Sequence, residues 1–167
     1  MPDPMGKIDD LIANNAAYAS SFELGALEPA PTLRVAVVAC MDARLDPAKA
    51  LGLNEGDAHV MRNAGGSITE DMLRSLAVSQ WMLGTEEVVL VHHTGCGMEG
   101  LPEQAAAQRV QGESGTPLPF SLGAFDSAED DLREGLRKVR DCPYLRSHQV
   151  RGFMYEVETG RVREVQA

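Results

Sequence analysis

Short apolar runs alternate with segments of helical periodicity along this chain. The runs Leu33–Cys40 and Glu87–His93 are continuous rather than alternating, which is typical of strands buried on both faces of a parallel sheet. A shorter and weaker run, Ala58–Arg62, predicts another strand between them. Near the end of the chain, Gly152–Val157 and Arg161–Val165 flank a Thr-Gly pair and predict a hairpin.

Apolar residues recur at helical spacing in the segments between these runs. Ser67 and Glu70 have the spacing of a capping box and predict the start of one helix, which Gly84 would end. The segments predicted to be helical are Lys7–Phe22, Ser67–Leu83, Pro102–Gln111 and Ser127–Arg140. Alternating strands and helices predict an α/β fold with a mostly parallel sheet covered by helices on both faces.

The whole chain, residues 1–167, is predicted to form one domain, because neither an internal repeat nor a boundary interrupts the pattern. Residues 1–30 are predicted to form an N-terminal helical arm, since the proline-bearing stretch Glu28–Pro31 cannot continue a helix.

Composition narrows the possible functions. The 25 acidic and 15 basic residues give a net charge of -10, which disfavours binding to nucleic acid. No apolar run approaches the roughly 18 residues that a membrane span needs, and we expect no membrane association. The first residues lack the pattern of an export signal, so we expect a cytoplasmic protein in which three cysteines serve a purpose other than disulfides.

Two of these cysteines follow predicted strands. Cys40 ends the first strand, and Cys96 lies three residues after His93, which ends another. Because neighbouring parallel strands end at the same edge of a sheet, we expect these three side chains to meet there. Two thiolates and one imidazole suit zinc, and three protein ligands leave the open position of a catalytic site. The alternative is that both cysteines are ordinary buried thiols.

Asp42 and Arg44 lie just beyond Cys40 and predict a pair beside the metal. Arg44 could hold the Asp42 carboxylate through two parallel hydrogen bonds and keep it ionised and aimed at the fourth metal position. The alternative is an exposed ion pair of little consequence.

These stretches resemble the β-class carbonic anhydrases. The motifs that carry the resemblance are Cys40-Met41-Asp42-Ala43-Arg44, Arg62-Asn63-Ala64-Gly65 and His93-Thr94-Gly95-Cys96-Gly97, and their order and spacing match the family. The resemblance implies that Cys40, His93 and Cys96 bind zinc, that Asp42 and Arg44 form a catalytic dyad, and that the backbone near Gly97 donates to a substrate oxygen.

For the protein as a whole, the resemblance implies a core of four parallel strands, a C-terminal edge strand or hairpin, and a homodimer or larger even oligomer in which the N-terminal helix lies on its partner. The implied reaction is zinc-dependent reversible hydration of carbon dioxide to bicarbonate and a proton, by a hydroxide generated on the metal.

Two other functions remain open at this point. The same zinc site could hydrolyse carbonyl sulfide or carbon disulfide, as relatives of this family do, or the protein could be a non-catalytic regulator that binds zinc or an anion.

The histidine next to the ligand, His92, is predicted to point to the opposite face of its strand. His59, His148 and Cys142 are predicted to have no part in metal binding.

Overall fold

The predicted elements form one sheet with helices around it. In a computed structural model, residues 6–166 are described; the first five residues of the predicted arm and Ala167 lie outside this range. The strands are β1 (Val35–Cys40), β2 (Ala58–Asn63), β3 (Glu87–His93), β4 (Gln149–Tyr155) and β5 (Val162–Val165). The helices are α1 (Lys7–Ser20), α2 (Pro47–Leu51), α3 (Glu70–Trp81), α4 (Glu103–Ser114) and α5 (Ala128–Asp141), and a 3-10 turn spans Ala64–Gly66.

The sheet has the order β2-β1-β3-β4-β5. The first four strands are mutually parallel, and β5 pairs antiparallel with β4. This arrangement confirms the predicted parallel core and closing hairpin. The parallel strands are joined by crossovers, so their carboxyl ends lie at one edge.

One side of the sheet, here called the helix face, is covered by α3 and α5. Side chains of β1 and β3 pack there against both helices and form the larger hydrophobic core. The Ser127 hydroxyl caps α5 by accepting a hydrogen bond from the amide of Asp130. Fully buried members of this core include Val38, Leu76, Leu90, Leu132, Leu136 and Val139.

The other side, here called the open face, has a smaller core and is only partly covered. Its buried side chains include Val37, Ala39 and Val91, with Leu45 and the short helix α2 packed nearby. An apolar groove of about 230 Å³ remains on this face. It is lined by Leu33, Val35, Val37, Leu51, Leu53, Val89, Phe153 and Val162.

Helix α1 is an arm that packs little against the rest of the described chain. Within residues 6–166, none of its side chains is buried. The Tyr18 hydroxyl donates to the Glu55 carboxylate at 2.7 Å and ties the arm to the loop before β2. Exposed apolar side chains on and after the helix are Ile8, Leu11, Ile12, Tyr18 and Phe22.

Helix α3 begins later than predicted. Thr69, not Ser67, is the N-cap, and its hydroxyl accepts from the amide of Met72 at 3.2 Å. The predicted capping box is wrong because Ser67 lies in extended backbone and donates its hydroxyl proton to Asp131 instead. Helix α2 was not predicted, because its five residues are too few to show a period.

Between β3 and α5 the chain makes an excursion that includes α4. Its two ends are joined by a bridge between Glu99 and Phe125. The Gly100 amide donates to the Phe125 carbonyl at 2.8 Å, and the Phe125 amide donates to the Met98 carbonyl at 3.2 Å. Among the described residues, no side chain of α4 itself is buried, so the excursion is fixed mainly at its base.

Candidate metal centre

Cys40, His93 and Cys96 come together at the carboxyl edge of the sheet. Strands β1 and β3 are neighbours that end in Cys40 and His93, and Cys96 lies in the turn that follows β3. One potential ligand atom from each residue lies within 4.8 Å of the others, and all three residues are buried. The sequence prediction that these side chains converge is therefore met by the geometry.

The His93 ring is oriented as a metal ligand would be. Its Nδ1 lies 3.0 Å from the Thr94 carbonyl oxygen, which can only accept, so Nδ1 carries the proton. In the neutral ring Nε2 then has a free lone pair. This nitrogen is buried, and among residues 6–166 it has no hydrogen-bond partner. An unpaired buried nitrogen is costly unless a cation binds it.

The spacing of the two sulfur atoms also fits zinc. The Cys40 and Cys96 Sγ atoms are 3.9 Å apart. Two sulfurs bound to one tetrahedral zinc at about 2.3 Å each would be about 3.8 Å apart. Without a metal, burial raises the pKa of the Cys96 thiol to about 11, and the neighbouring Cys40 adds to the rise. A bound cation reverses this effect, because ligation deprotonates the thiol.

Asp42 and Arg44 form the predicted pair at the rim of this group. Arg44 donates from Nε to Asp42 Oδ1 at 3.0 Å and from Nη2 to Oδ2 at 2.7 Å. Nη2 also donates to the Gly95 carbonyl at 2.8 Å, which joins the pair to the turn that carries Cys96. These side-chain bonds, with the Arg44 backbone amide, hold the pKa of Asp42 well below its usual range. Asp42 Oδ2 lies 3.7 Å from His93 Nε2, beyond hydrogen-bond distance, and the carboxylate faces the same gap as the ring nitrogen.

Arg62 holds the loop between Cys40 and Leu45, a role that local sequence patterns did not indicate. Its guanidinium donates to the carbonyl oxygens of Cys40, Asp42 and Leu45 at 2.9, 2.8 and 2.7 Å. Three fixed carbonyl groups set the path of the segment that presents Cys40 and Asp42. The only sequence signal for Arg62 was the motif Arg62-Asn63-Ala64-Gly65, and this motif does not indicate which carbonyl groups Arg62 contacts.

The 3-10 turn after β2 packs directly against Cys40. A Cβ atom at Gly66 would lie 2.8 Å from the Cys40 nitrogen, so this position admits no side chain without displacing the strand. Gly66 has φ +72°, which also favours glycine. The Asn63–Gly66 turn therefore supports Cys40, a candidate metal ligand, through its backbone.

A small cavity of about 140 Å³ adjoins Cys40 and Cys96. Gly97 lines it, and within the described structure nothing lies within 4 Å of where a Gly97 side chain would begin. The cavity is also lined by Cys40, Met41, Asp42, Ala64, Gly65, Cys96 and Met98. A larger cavity of about 450 Å³ lies around Thr85 and Arg146, at the amino-terminal edge of the sheet, and none of the predicted site residues lines it.

The remaining candidate residues lie away from the centre, as predicted. His92 faces the helix side and bonds to Asp131 at 2.8 Å. His59 pairs with Ser79, and His148 lies next to the Val139 carbonyl. Cys142 is buried at the end of α5.

Comparison with known proteins agrees with this geometry. Residues 35–118 match the carbonic anhydrase family model. The chain is 45% identical over 158 residues to β-carbonic anhydrase 1 of Mycobacterium tuberculosis, covering 94% of this chain and 96% of that protein. The chain belongs to the β-class carbonic anhydrases. It is therefore an enzyme of the lyase class, and the predicted family is confirmed.

Other relatives show how far this fold extends. The crystal structure of a carbonic anhydrase from Streptococcus mutans superposes with a TM-score of 0.91 at 37% identity, covering 98% of this chain and all of that one. A protein of Acidithiobacillus thiooxidans named carbon disulfide hydrolase is 35% identical over 152 residues, covering 78% of this chain and 76% of its own. Across the described part of this chain, no helix is both long and apolar enough to cross a membrane.

Proposed function

We propose that this protein hydrates carbon dioxide reversibly to bicarbonate and a proton, at a zinc ion held by Cys40, His93 and Cys96. The observation that carries the proposal is the unpaired, buried His93 Nε2 beside two thiols 3.9 Å apart. When bound, zinc supplies the acidification of water that makes a hydroxide nucleophile available near neutral pH.

Asp42 is the acceptor that orients the attacking water. Its carboxylate is ionised because Arg44 lowers its pKa, so it can only accept a hydrogen bond at the gap it shares with His93. An acceptor with so low a pKa aims an O–H group without keeping its proton. As the water oxygen bonds to the carbon of carbon dioxide, an electron pair of one C=O bond moves to oxygen, and the water proton passes to solvent.

Arg44 has a positioning role in this reaction. Its Nη2 bridges Asp42 Oδ2 and the Gly95 carbonyl, so the carboxylate is fixed relative to the turn that carries Cys96. The flat guanidinium makes two parallel bonds to Asp42 that a lysine could not reproduce. Release of this grip would free Asp42 to move towards the metal position, and Asp42 and Arg44 thus also permit a resting state in which Asp42 would occupy the fourth zinc position.

The cavity beside the ligands suits a small apolar substrate. Methionine, alanine and glycine supply much of its lining, and its 140 Å³ is a volume for a molecule of few atoms. Gly97 borders this space, and we assign its backbone amide as the donor to a substrate oxygen.

Carbon dioxide is favoured over carbon disulfide by similarity. The mycobacterial carbonic anhydrase matches 94% of this chain at 45% identity, whereas the carbon disulfide hydrolase matches 78% at 35%.

The presence of both Asp42 and Arg44 argues against a non-catalytic zinc or anion-binding regulator.

The test is a stopped-flow hydration assay on protein of known zinc content, with carbonyl sulfide and carbon disulfide assayed in parallel. We expect one zinc per chain and rapid carbon dioxide hydration. Cys40→Ala and Cys96→Ala should lose both, while Cys142→Ala, a buried cysteine elsewhere, should keep both. Full zinc in the Cys40 and Cys96 variants would contradict the site, and faster turnover of a sulfur substrate would contradict the reaction.

We also propose that two copies associate through the N-terminal arm. The exposed apolar side chains of α1 match the apolar groove of the open face in character, and neither is covered within residues 6–166 of one chain. Burial of both surfaces in a symmetric dimer, or in a larger even oligomer, would remove them from water.

Sedimentation at micromolar concentration tests this association. Leu11→Glu places a charge on the apolar side of α1 and should give monomers. Ala17→Glu places the same charge on the far side of that helix and should leave the oligomer intact. A wild-type protein that sediments as a single chain of 18.0 kDa would overturn the proposal.

We propose a cytoplasmic location for this protein. Cys40 and Cys96 must remain reduced to bind zinc, and thiols are kept reduced in the cytoplasm.

We propose that residues 1–167 fold as one domain, which a single cooperative unfolding transition would support.

A further inference from the structure

The Asp131 carboxylate makes two contacts, one to the strand that ends in His93 and one to the residue after the turn that packs against Cys40. Its Oδ2 lies 2.8 Å from the Ser67 hydroxyl oxygen and 2.8 Å from His92 Nε2. Burial raises the pKa of Asp131, but the hydrogen bonds from His92 and Ser67 outweigh it and leave the pKa below its ordinary value. The carboxylate is therefore an acceptor, and both partners donate to the same oxygen.

The contact with His92 fixes the end of β3. His92 is 2% exposed and faces α5, while the next residue, His93, points to the opposite side of the strand. Because the two side chains leave adjacent positions of one strand, holding His92 resists rotation of the strand end that carries His93. The hydrogen bond of His93 itself reaches only the neighbouring Thr94.

The contact with Ser67 holds the glycine turn against Cys40. Ser67 follows Gly66, whose α-carbon is so close to the Cys40 backbone that a Cβ would be 2.8 Å from its nitrogen. If the hydrogen bond between Ser67 and Asp131 were lost, Ser67 could move away from α5 and the packing of Gly66 against Cys40 would loosen. One oxygen on the first turn of α5 thus ties the turn behind Cys40 to the strand that ends in His93.

We propose that Asp131 is a positioning residue for the metal centre, acting through His92 and Ser67 from the opposite face of the sheet. It touches neither the zinc ligands nor the substrate cavity. Its effect is to hold Cys40 and His93 at the spacing that a metal requires. This role rests on the proposed function only in that the site binds zinc.

The decisive measurement is zinc affinity of the folded protein, by competition with a chromophoric chelator. Asp131→Ala removes both contacts and should weaken zinc binding about tenfold, at the lower end of the effect of partners that orient metal ligands. Asp131→Asn keeps one acceptor oxygen for both donors and should restore affinity to within about threefold of the wild type.

The matched control is Glu129→Ala, in the same turn of α5. Glu129 accepts hydrogen bonds from Arg133 and Arg163 and faces neither His92 nor Ser67. A purely structural role of this helix end would make Glu129→Ala and Asp131→Ala alike, with reduced stability and unchanged zinc affinity. We expect the affinity to fall only in Asp131→Ala, and the cobalt-substituted protein to show an altered visible spectrum only in that variant.

The outcomes separate the two proposals. Equal zinc affinity in Asp131→Ala and the wild type would overturn the positioning role and leave the proposed function intact. A wild-type protein whose zinc content does not depend on Cys40 and Cys96 would overturn the proposed site.

If Asp131→Ala does not fold, the comparison of Asp131→Asn with Asp131→Ser tests the positioning role, because the serine hydroxyl is too short to reach both donors. A loss of affinity in the serine variant alone supports the proposal, and equal affinities overturn it.

Discussion

The helix face and the open face of the sheet are built from the same strands but are completed differently. On the helix face, α3 and α5 bury the apolar side chains, and Asp131 accepts hydrogen bonds from His92 Nε2 and Ser67, while His92 Nδ1 has no partner among the described residues. On the open face, His93 Nε2 lacks a partner among the described residues, and the apolar groove is left uncovered. From this difference we expect the helix face to supply most of the stability, and we propose that a metal ion and a second copy complete the open face.

The largest effect that this comparison predicts is on stability. Leu136 is 1% exposed on the helix face, and Leu136→Ala should lower the free energy of unfolding by about 4 kcal/mol through the lost apolar contact and the cavity left behind. Leu53, half-buried on the open face, should cost less when changed to alanine. Denaturant unfolding measures both, and equal losses would show that the two faces contribute alike.

The next effect is on turnover. Asp42→Asn removes the charge but not the bulk of the orienting acceptor, so zinc should stay bound while kcat/KM falls about 10²–10³-fold, or about 2.7–4 kcal/mol. Arg44→Lys should also be damaging, and the double variant should lose much less than the product of the two single losses, because the residues act as a unit.

Asp46→Asn is the control for that experiment. Asp46 lies four residues from Asp42, pairs with exposed Lys49 and caps α2, and asparagine remains a good cap. Near-normal turnover of zinc-loaded Asp42→Asn would remove the dyad from the mechanism.

The smallest effect is a pH dependence of stability that originates on the helix face. The pKa of Asp131 is lower in the folded protein than its ordinary value, which is about 3.9 in an unfolded chain. Its stabilising contribution is therefore complete above about pH 3.9 and is lost as the pH falls through the lower, folded pKa. Unfolding at a series of pH values should show wild-type stability falling towards that of Asp131→Asn in acid. A constant difference between the two proteins down to pH 2 would contradict the shift.

The sequence predicted the parts of this molecule that depend on local pattern. Continuous apolar runs identified β1 and β3, since such runs are what a strand covered on both sides requires. Cys40, His93 and Cys96 could be brought together because parallel neighbours end at one edge. The hairpin that ends in β5 followed from its turn residues.

The parts that escaped prediction depend on partners far apart in the chain. Ser67 has the spacing of a helix cap, yet its hydroxyl bonds to Asp131, 64 residues away. The three carbonyl acceptors of Arg62 lie on a loop 17 to 22 residues earlier, and no periodicity indicates them. Such contacts are decided by tertiary packing, which overrides local preference wherever a polar group must be satisfied.

The excursion between Glu99 and Phe125 has a consequence for how this enzyme can diversify. It is closed at its base by the bridge between these two residues, and the Ala128 amide also donates to the Glu99 carboxylate at 2.9 Å. Because lengthening a closed loop adds little entropic cost, residues can be inserted or deleted around α4 without moving the strand ends. Evolution, or an engineer who grafts a foreign segment, can therefore change the length and sequence of this excursion while Cys40, His93 and Cys96 keep their positions.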